Sequence, residues 1–204
     1  MKIKTLIGLI IIALIVFIIY ILNVDKDIYY VNISDSNIKY NSYIKKELKT
    51  KSKLEKYVNY VDEDYRITDL INDINTNKNI NDNQTIQNAL IKADILTIKI
   101  GSNELEYKAN NRNINKLFDY SDEMIKDLEE LFKLLKIYDK EKIYFIGFYN
   151  KKSPYYDEIY NYLNLKIQDM CNDYDIDFIN IGDLDKKLEN IKVKSSVLKY
   201  LQLK

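Results

Sequence analysis

The chain of 204 residues contains no histidine and a single cysteine, Cys171. The first absence removes the commonest general base and the commonest metal ligand. The second excludes an internal disulfide framework and a cysteine-based zinc site. Lysine plus arginine and aspartate plus glutamate each number 31, so no global field draws the chain to nucleic acid. Glycine (4) and proline (1) are scarce, while Ile, Lys, Asn and Tyr abound. Coding bias toward A and T accounts for that pattern without invoking function. The 19 tyrosines, with pairs at 29–30 and 155–156, fall under the same account and under strand packing.

What is present begins with an apolar run. TLIGLIIIALIVFIIYIL, residues 5–22, carries no charge, and its 18 residues span roughly 27 Å as a helix, close to the hydrocarbon thickness of a bilayer. It has neither the polar stripe of a core helix nor the small-residue exit of a cleaved signal peptide, since it leaves through Tyr20-Ile21-Leu22-Asn23-Val24. Residues 1–24 are therefore expected to form an uncleaved membrane anchor, a single transmembrane helix. Lys2 and Lys4 precede the run and Asp25-Lys26-Asp27 follows it. The positive-inside rule then puts the domain at 25–204 outside the cytoplasm, at the cell membrane. Its length suits one domain with a real core.

Within that domain two hydrophobic periods alternate. Strands are expected at Ile28–Ile33, Tyr57–Val61, Asp94–Ile100, Lys142–Phe148 and Asp177–Ile181, each rich in β-branched or aromatic residues. Helical spacing joins Met124, Ile125, Leu128, Leu131, Phe132 and Leu135 behind an expected N-cap at Ser121. A second stripe, Ile159, Tyr160, Leu163, Ile167, Met170 and Cys171, follows Ser153 as cap and Pro154 at the first helical position. Shorter helices fit 42–52, 67–74, 85–92 and 184–201, with polar loops at 75–84 and 106–120. This alternation implies an α/β fold, a three-layer α/β/α sandwich around a flavodoxin-like five-stranded parallel sheet of order 2-1-3-4-5. In such a sheet ligands bind beyond the carboxyl ends of the strands, where the order reverses. That point brings Ser34-Asp35-Ser36 beside Gly101-Ser102-Asn103.

These two turns carry a resemblance. Ile33-Ser34-Asp35-Ser36-Asn37 resembles the first block of the SGNH (GDSL-type) hydrolases, a strand leading into Gly-Asp-Ser-Leu. Ile100-Gly101-Ser102-Asn103-Glu104-Leu105, preceded by Ala93-Asp94-Ile95-Leu96-Thr97-Ile98, resembles their third block, and Tyr65-Arg66-Ile67-Thr68-Asp69-Leu70 the stretch after the second. The likeness runs over most of 28–182. It implies a serine esterase lineage with Ser36 as nucleophile, whose backbone N–H and the Asn103 side-chain amide line an oxyanion hole. No cofactor or metal is expected: Asp175 and Asp177, near the fifth strand, could suggest a metal, but acidic residues there more often terminate helices or line loops.

The departures from the family pattern carry as much weight. Ser34 replaces the first-block glycine, Asp64 falls near the second-block glycine, and Glu104 stands for the third-block aspartate. The family's closing Asp-x-x-His has no counterpart, for the chain continues Gly182-Asp183-Leu184-Asp185-Lys186-Lys187-Leu188 to Lys204. Without a base a serine hydroxyl is a weak nucleophile. Lys186, Lys187, Lys192 and Lys194 are candidate substitutes, but they sit on the solvated face of an expected amphipathic helix. Three expectations stand side by side: a catalytically lost domain holding a lipid or cell-envelope glycan ligand, an active acyl or acetyl esterase with a non-histidine base, and a truncated gene product.

Overall fold

A computed structural model describes residues 28–35, 45–46, 49–50, 54–81, 83–110, 116–140, 142–148 and 154–180. Its strands are β1 (Ile28–Ser34), β2 (Leu54–Val61), β3 (Asn79–Asn81), β4 (Gln84–Thr85), β5 (Ile95–Lys99), β6 (Ile143–Ile146) and β7 (Asp177–Ile179). The helices are α1 (Ile67–Asn75), α2 (Ile86–Lys92), α3 (Ser102–Asn110), α4 (Leu117–Lys136) and α5 (Pro154–Asp173). Five strands make one parallel sheet in the order β2-β1-β5-β6-β7, while β3 and β4 pair as a separate antiparallel hairpin. Leaving out that hairpin, this is the expected 2-1-3-4-5 order. The register sets Ser34 opposite both Val61 and Lys99, so the strand ends meet at one pole.

Alternation along each strand divides its side chains between two faces. Val31, Ile33, Leu96, Ile98 and Phe145 pack into a core with Leu70 and Ile74 of α1, Leu128, Leu131 and Phe132 of α4, and Leu163 and Ile167 of α5. Burying each such side chain contributes about 1.5–3 kcal/mol before the entropy of ordering is subtracted. The opposite face is buried too and mixes apolar Ile95 and Ile146 with polar side chains: Tyr30, Asn32 and Thr97 are each 0 % exposed. Thr97 Oγ1 donates to Asn32 Oδ1 at 2.9 Å, so Tyr30 donates its phenolic proton to Thr97 at 2.7 Å. Asn32 Nδ2 passes the chain on to Asn59 Oδ1 at 2.9 Å, on the exposed edge strand. Every member therefore has a partner, as buried polar groups must. Burial pushes the Tyr30 phenol far above its ordinary value.

The expected three-layer sandwich is described on one side. The helices expected over 42–52 and 184–201 lie outside the described residues, except Lys45–Lys46 and Lys49–Thr50, which are helical. The apolar run 5–22 also lies outside them; among the described residues no helix is long and apolar enough to cross a membrane.

Three local expectations are corrected. Ser121 is not an N-cap: α4 starts at Leu117, and the buried Ser121 Oγ donates to Leu117 O at 2.8 Å. The reason is that Leu117 and Tyr120 extend the apolar stripe one turn toward the N-terminus, and both are buried. The described parts of the expected loop 106–120 are helical: residues 106–110 belong to α3 and 117–120 to α4. The polar stretch 75–84 holds the β3–β4 pairing, which its short, asparagine-rich strands conceal from any periodicity.

Candidate functional site

The carboxyl ends of β1, β2 and β5 converge on Asp35, which is 2 % exposed. Its N–H donates to Lys99 O at 3.0 Å, locking β1 to β5 one residue beyond their last pair. Its Oδ2 accepts from the backbone N–H groups of Gly101 (3.0 Å), Ser102 (2.8 Å) and Asn103 (3.4 Å). These are the unpaired donors at the start of α3, where a negative charge is favoured. Gly101 adopts φ +118°, a conformation that L side chains rarely take, and a Cβ there would lie 3.0 Å from the Phe148 ring. Burial raises the Asp35 carboxyl above the usual range and outweighs the opposing pull of Lys99 and the three N–H groups. Its Oδ1 is buried with no hydrogen-bond partner. Asp35 thus serves as the strut between the two turns. Ser36, the next residue, lies outside the described residues, as do Lys186, Lys187, Lys192 and Lys194.

Asn103 stands in the first turn of α3, facing the loop between β2 and α1. Its Nδ2 donates to Asp35 O at 3.2 Å, to Tyr65 O at 3.3 Å and to Glu63 O. An amide has two N–H groups, and three carbonyls surround them. Glu104, the next residue, is 3 % exposed with Oε2 unpartnered. Burial raises its carboxyl; the Lys108 ammonium, 3.7 Å from Oε1, opposes this, Asp127 reinforces it, and Arg66 and the Ile67 N–H at the start of α1 pull back. One turn further, the Tyr107 ring receives the Arg66 guanidinium at 4.7 Å from its centroid. Arg66 is also held by Asp69, with Nε to Oδ2 at 3.2 Å. Three α3 side chains, at spacing i, i+1 and i+4, therefore grip the loop 63–67.

A cleft of about 270 Å³ opens here, walled by Asp64, Arg66, Asn103 and Tyr107. Asp64 is exposed, at a turn where its own N–H donates to Asp62 Oδ1 at 3.2 Å. It also borders a second cleft of about 280 Å³ containing Tyr65, Asp69, Asp73 and Lys78. Asp73 Oδ2 there accepts from Tyr65 (2.5 Å), Lys78 (2.7 Å) and Tyr60 (3.2 Å). Among the described residues no group of three or more cysteine, aspartate or glutamate side chains is placed to hold a metal.

No family model and no curated protein matches the chain. Solved structures do. The acetylxylan esterase Axe2 from Geobacillus stearothermophilus superposes with a TM-score of 0.64 at 14 % identity, over 87 % of this chain and 95 % of that one. The fold is that of an esterase-like hydrolase. The acetyl xylan esterase AlAXEase gives 0.55 at 16 % identity, over 85 % of this chain and 83 % of that one. LAE5, an alpha/beta hydrolase from the metagenome of Lake Arreo, Spain, gives 0.60 at 12 %, over 85 % and 94 %. At these identities the likeness is one of fold. The Axe2 set includes catalytic mutants in which a serine, an aspartate and a histidine are replaced by alanine.

The sequence brings Ser34-Asp35 and Gly101-Asn103 together correctly. It misses Arg66 and Tyr107 as cleft walls. The spacing of 103, 104 and 107 on one helix face was the available signal, and the expected loop at 106–120 hid it.

Proposed function

We propose that this chain is a membrane-anchored, extracytoplasmic SGNH (GDSL-type) hydrolase relative whose esterase activity is lost or strongly reduced. The observation that carries this reading is an esterase-like fold in a chain with 0 histidines. In Axe2 a serine, an aspartate and a histidine are each the site of a catalytic mutant. Here Ser36 has no imidazole to take its proton, and a serine hydrolase stripped of its base keeps only the residual catalysis of binding and oxyanion stabilisation. The Asn103 amide supports the same reading, because its donors are directed at backbone carbonyls rather than left open for an oxyanion. Asp64 adds a carboxylate to the wall where negative charge would develop. The retained cleft then serves binding, with a lipid or cell-envelope glycan as its ligand.

The full chain in detergent micelles, treated with a fluorophosphonate probe and then p-nitrophenyl acetate, tests this. The expected result is no stoichiometric labelling and turnover unchanged by Ser36→Ala. Labelling or turnover that disappears in Ser36→Ala overturns the reading in favour of an active esterase with a non-histidine base. An Asp-x-x-His encoded in another frame of the downstream DNA favours truncation instead.

A further inference from the structure

We infer that the pole of the sheet opposite the cleft rests on the bilayer, with Ile91 and Ile137 seated among the lipid headgroups and the cleft turned away from the membrane. This rests on the anchor proposed above. The apolar run ends at Leu22, and β1 starts at Ile28. Even fully extended, six residue steps reach about 22 Å, so the amino end of the central strand stays close to the membrane surface. In a parallel sheet every strand enters at that same pole, and the carboxyl ends, with Asp35, Asn103 and the cleft, lie a strand length away, about 20 Å along β1.

The pole itself has the right chemistry. Ile91 closes α2 just before β5, and Ile137 follows α4 just before β6, the neighbouring strand. They are 62 % and 75 % exposed. Lone exposed apolar residues are ordinary, but the two turns that carry these are joined: Lys140, three residues after Ile137, donates its ammonium to Ile91 O. The two turns are also tied to the central strands, through Asp94 N to Tyr29 O at 2.9 Å and Leu96 N to Lys142 O at 3.0 Å. Exposed Lys92 and Lys136 flank the pair, with Asp139 exposed beside them. Mixed charge around two apolar tips suits a neutral headgroup layer, with lysine stems lying along it, better than an anionic surface. A cleft held about a strand length above the bilayer cannot reach acyl chains of its own membrane. Of the two ligand classes above, the glycan is the one within reach.

The test uses the full chain reconstituted in phosphatidylcholine vesicles carrying nitroxide-labelled lipid, with an environment-sensitive fluorophore on a single introduced cysteine. Cys171 stays silent, being buried with its thiol pushed up to about 12. A fluorophore at Lys92→Cys or Lys136→Cys is expected to be blue-shifted and quenched several-fold more than one at Asp64→Cys, independently of salt. The double change Ile91→Ser with Ile137→Ser should abolish that difference. Equal quenching at positions 92 and 64, or quenching at 92 indifferent to the double change, overturns the inference while leaving the anchor standing. A chain that washes off the vesicles in carbonate overturns the anchor and the inference together.

Discussion

Replacing Asp35 by alanine isolates the strut between the two turns. The substitution removes the acceptor of three N–H groups at 2.8–3.4 Å. Gly101 is buried, so its N–H is left without a partner, which costs about 1–3 kcal/mol. The N–H groups of Ser102 and Asn103 are only partly buried and recover water, so each loses about 0.5–1 kcal/mol. Loss of the charge at the start of α3 adds about 0.5–1 kcal/mol. Against this, the mutant no longer buries a carboxylate with one oxygen unpartnered, which returns about 1 kcal/mol. The sum is a loss of about 3 kcal/mol, or a Tm lower by roughly 6–12 °C for a chain of this size. Asp35→Asn keeps an acceptor of the same shape and is expected to lose only about 1 kcal/mol. Urea denaturation of both variants, followed by far-UV circular dichroism, measures the difference. Asp35→Ala within about 0.5 kcal/mol of the parent, or an Asn variant as damaged as the Ala variant, would refute the strut.

Three further outcomes follow from the same region. Gly101→Ala forces a Cβ to 3.0 Å from Phe148 at φ +118°; a loss of about 2–3 kcal/mol is expected in the same denaturation assay, and a neutral result contradicts the geometry. Asn164 bonds both the N–H (2.8 Å) and the C=O (2.9 Å) of buried Phe148. Asn164→Ala should therefore cost about 2–4 kcal/mol, whereas a loss below about 1 kcal/mol would mean that water replaces it freely. Asp35 and Glu104 both have carboxyls raised by burial. The folded chain thus holds protons that the unfolded chain has released, in the window between the ordinary carboxylate range and the raised values. Stability from these two groups falls as pH rises through that window and is regained on acidification. From about pH 7 to about pH 5, the urea midpoint of the Asp35→Asn, Glu104→Gln double variant should gain less, or lose more, than the parent's; identical profiles would remove the assignment.

Much of the fold was legible because its signals are local and redundant. Five strands rich in β-branched and aromatic residues, separated by helical stripes such as Met124–Leu128–Leu135, leave few arrangements of a parallel sheet. The errors fall where tertiary packing overrides a local cue. Ser121 looks like a cap, yet Leu117 and Tyr120 find the core and draw the helix past it. The segment 102–110 carries Asn103, Glu104 and Lys108 where a surface helix would show an apolar stripe, because several of its inward positions are spent on polar contacts with the loop 63–67 and with α4. The strut is partly legible: Ser34-Asp35-Ser36 draws attention for its serine, whereas the aspartate makes the contacts.

The grip of α3 on the loop 63–67 bears on reversibility. Suppose an Asp-x-x-His segment were grafted behind β7 and its imidazole reached Ser36. The added base would meet an Asn103 amide already committed to the carbonyls of Asp35, Glu63 and Tyr65. Freeing it means rebuilding the turn at Asp62–Tyr65, and that turn is fastened by Arg66 on Tyr107 and by the Asp73 hydroxyl contacts behind it. Supplying a histidine and freeing an oxyanion donor are separate steps, and each alone leaves the serine without the other's contribution. Under the function proposed above the interlock works as a ratchet: a substitution that frees the Asn103 amide loosens the scaffold before it confers any rate.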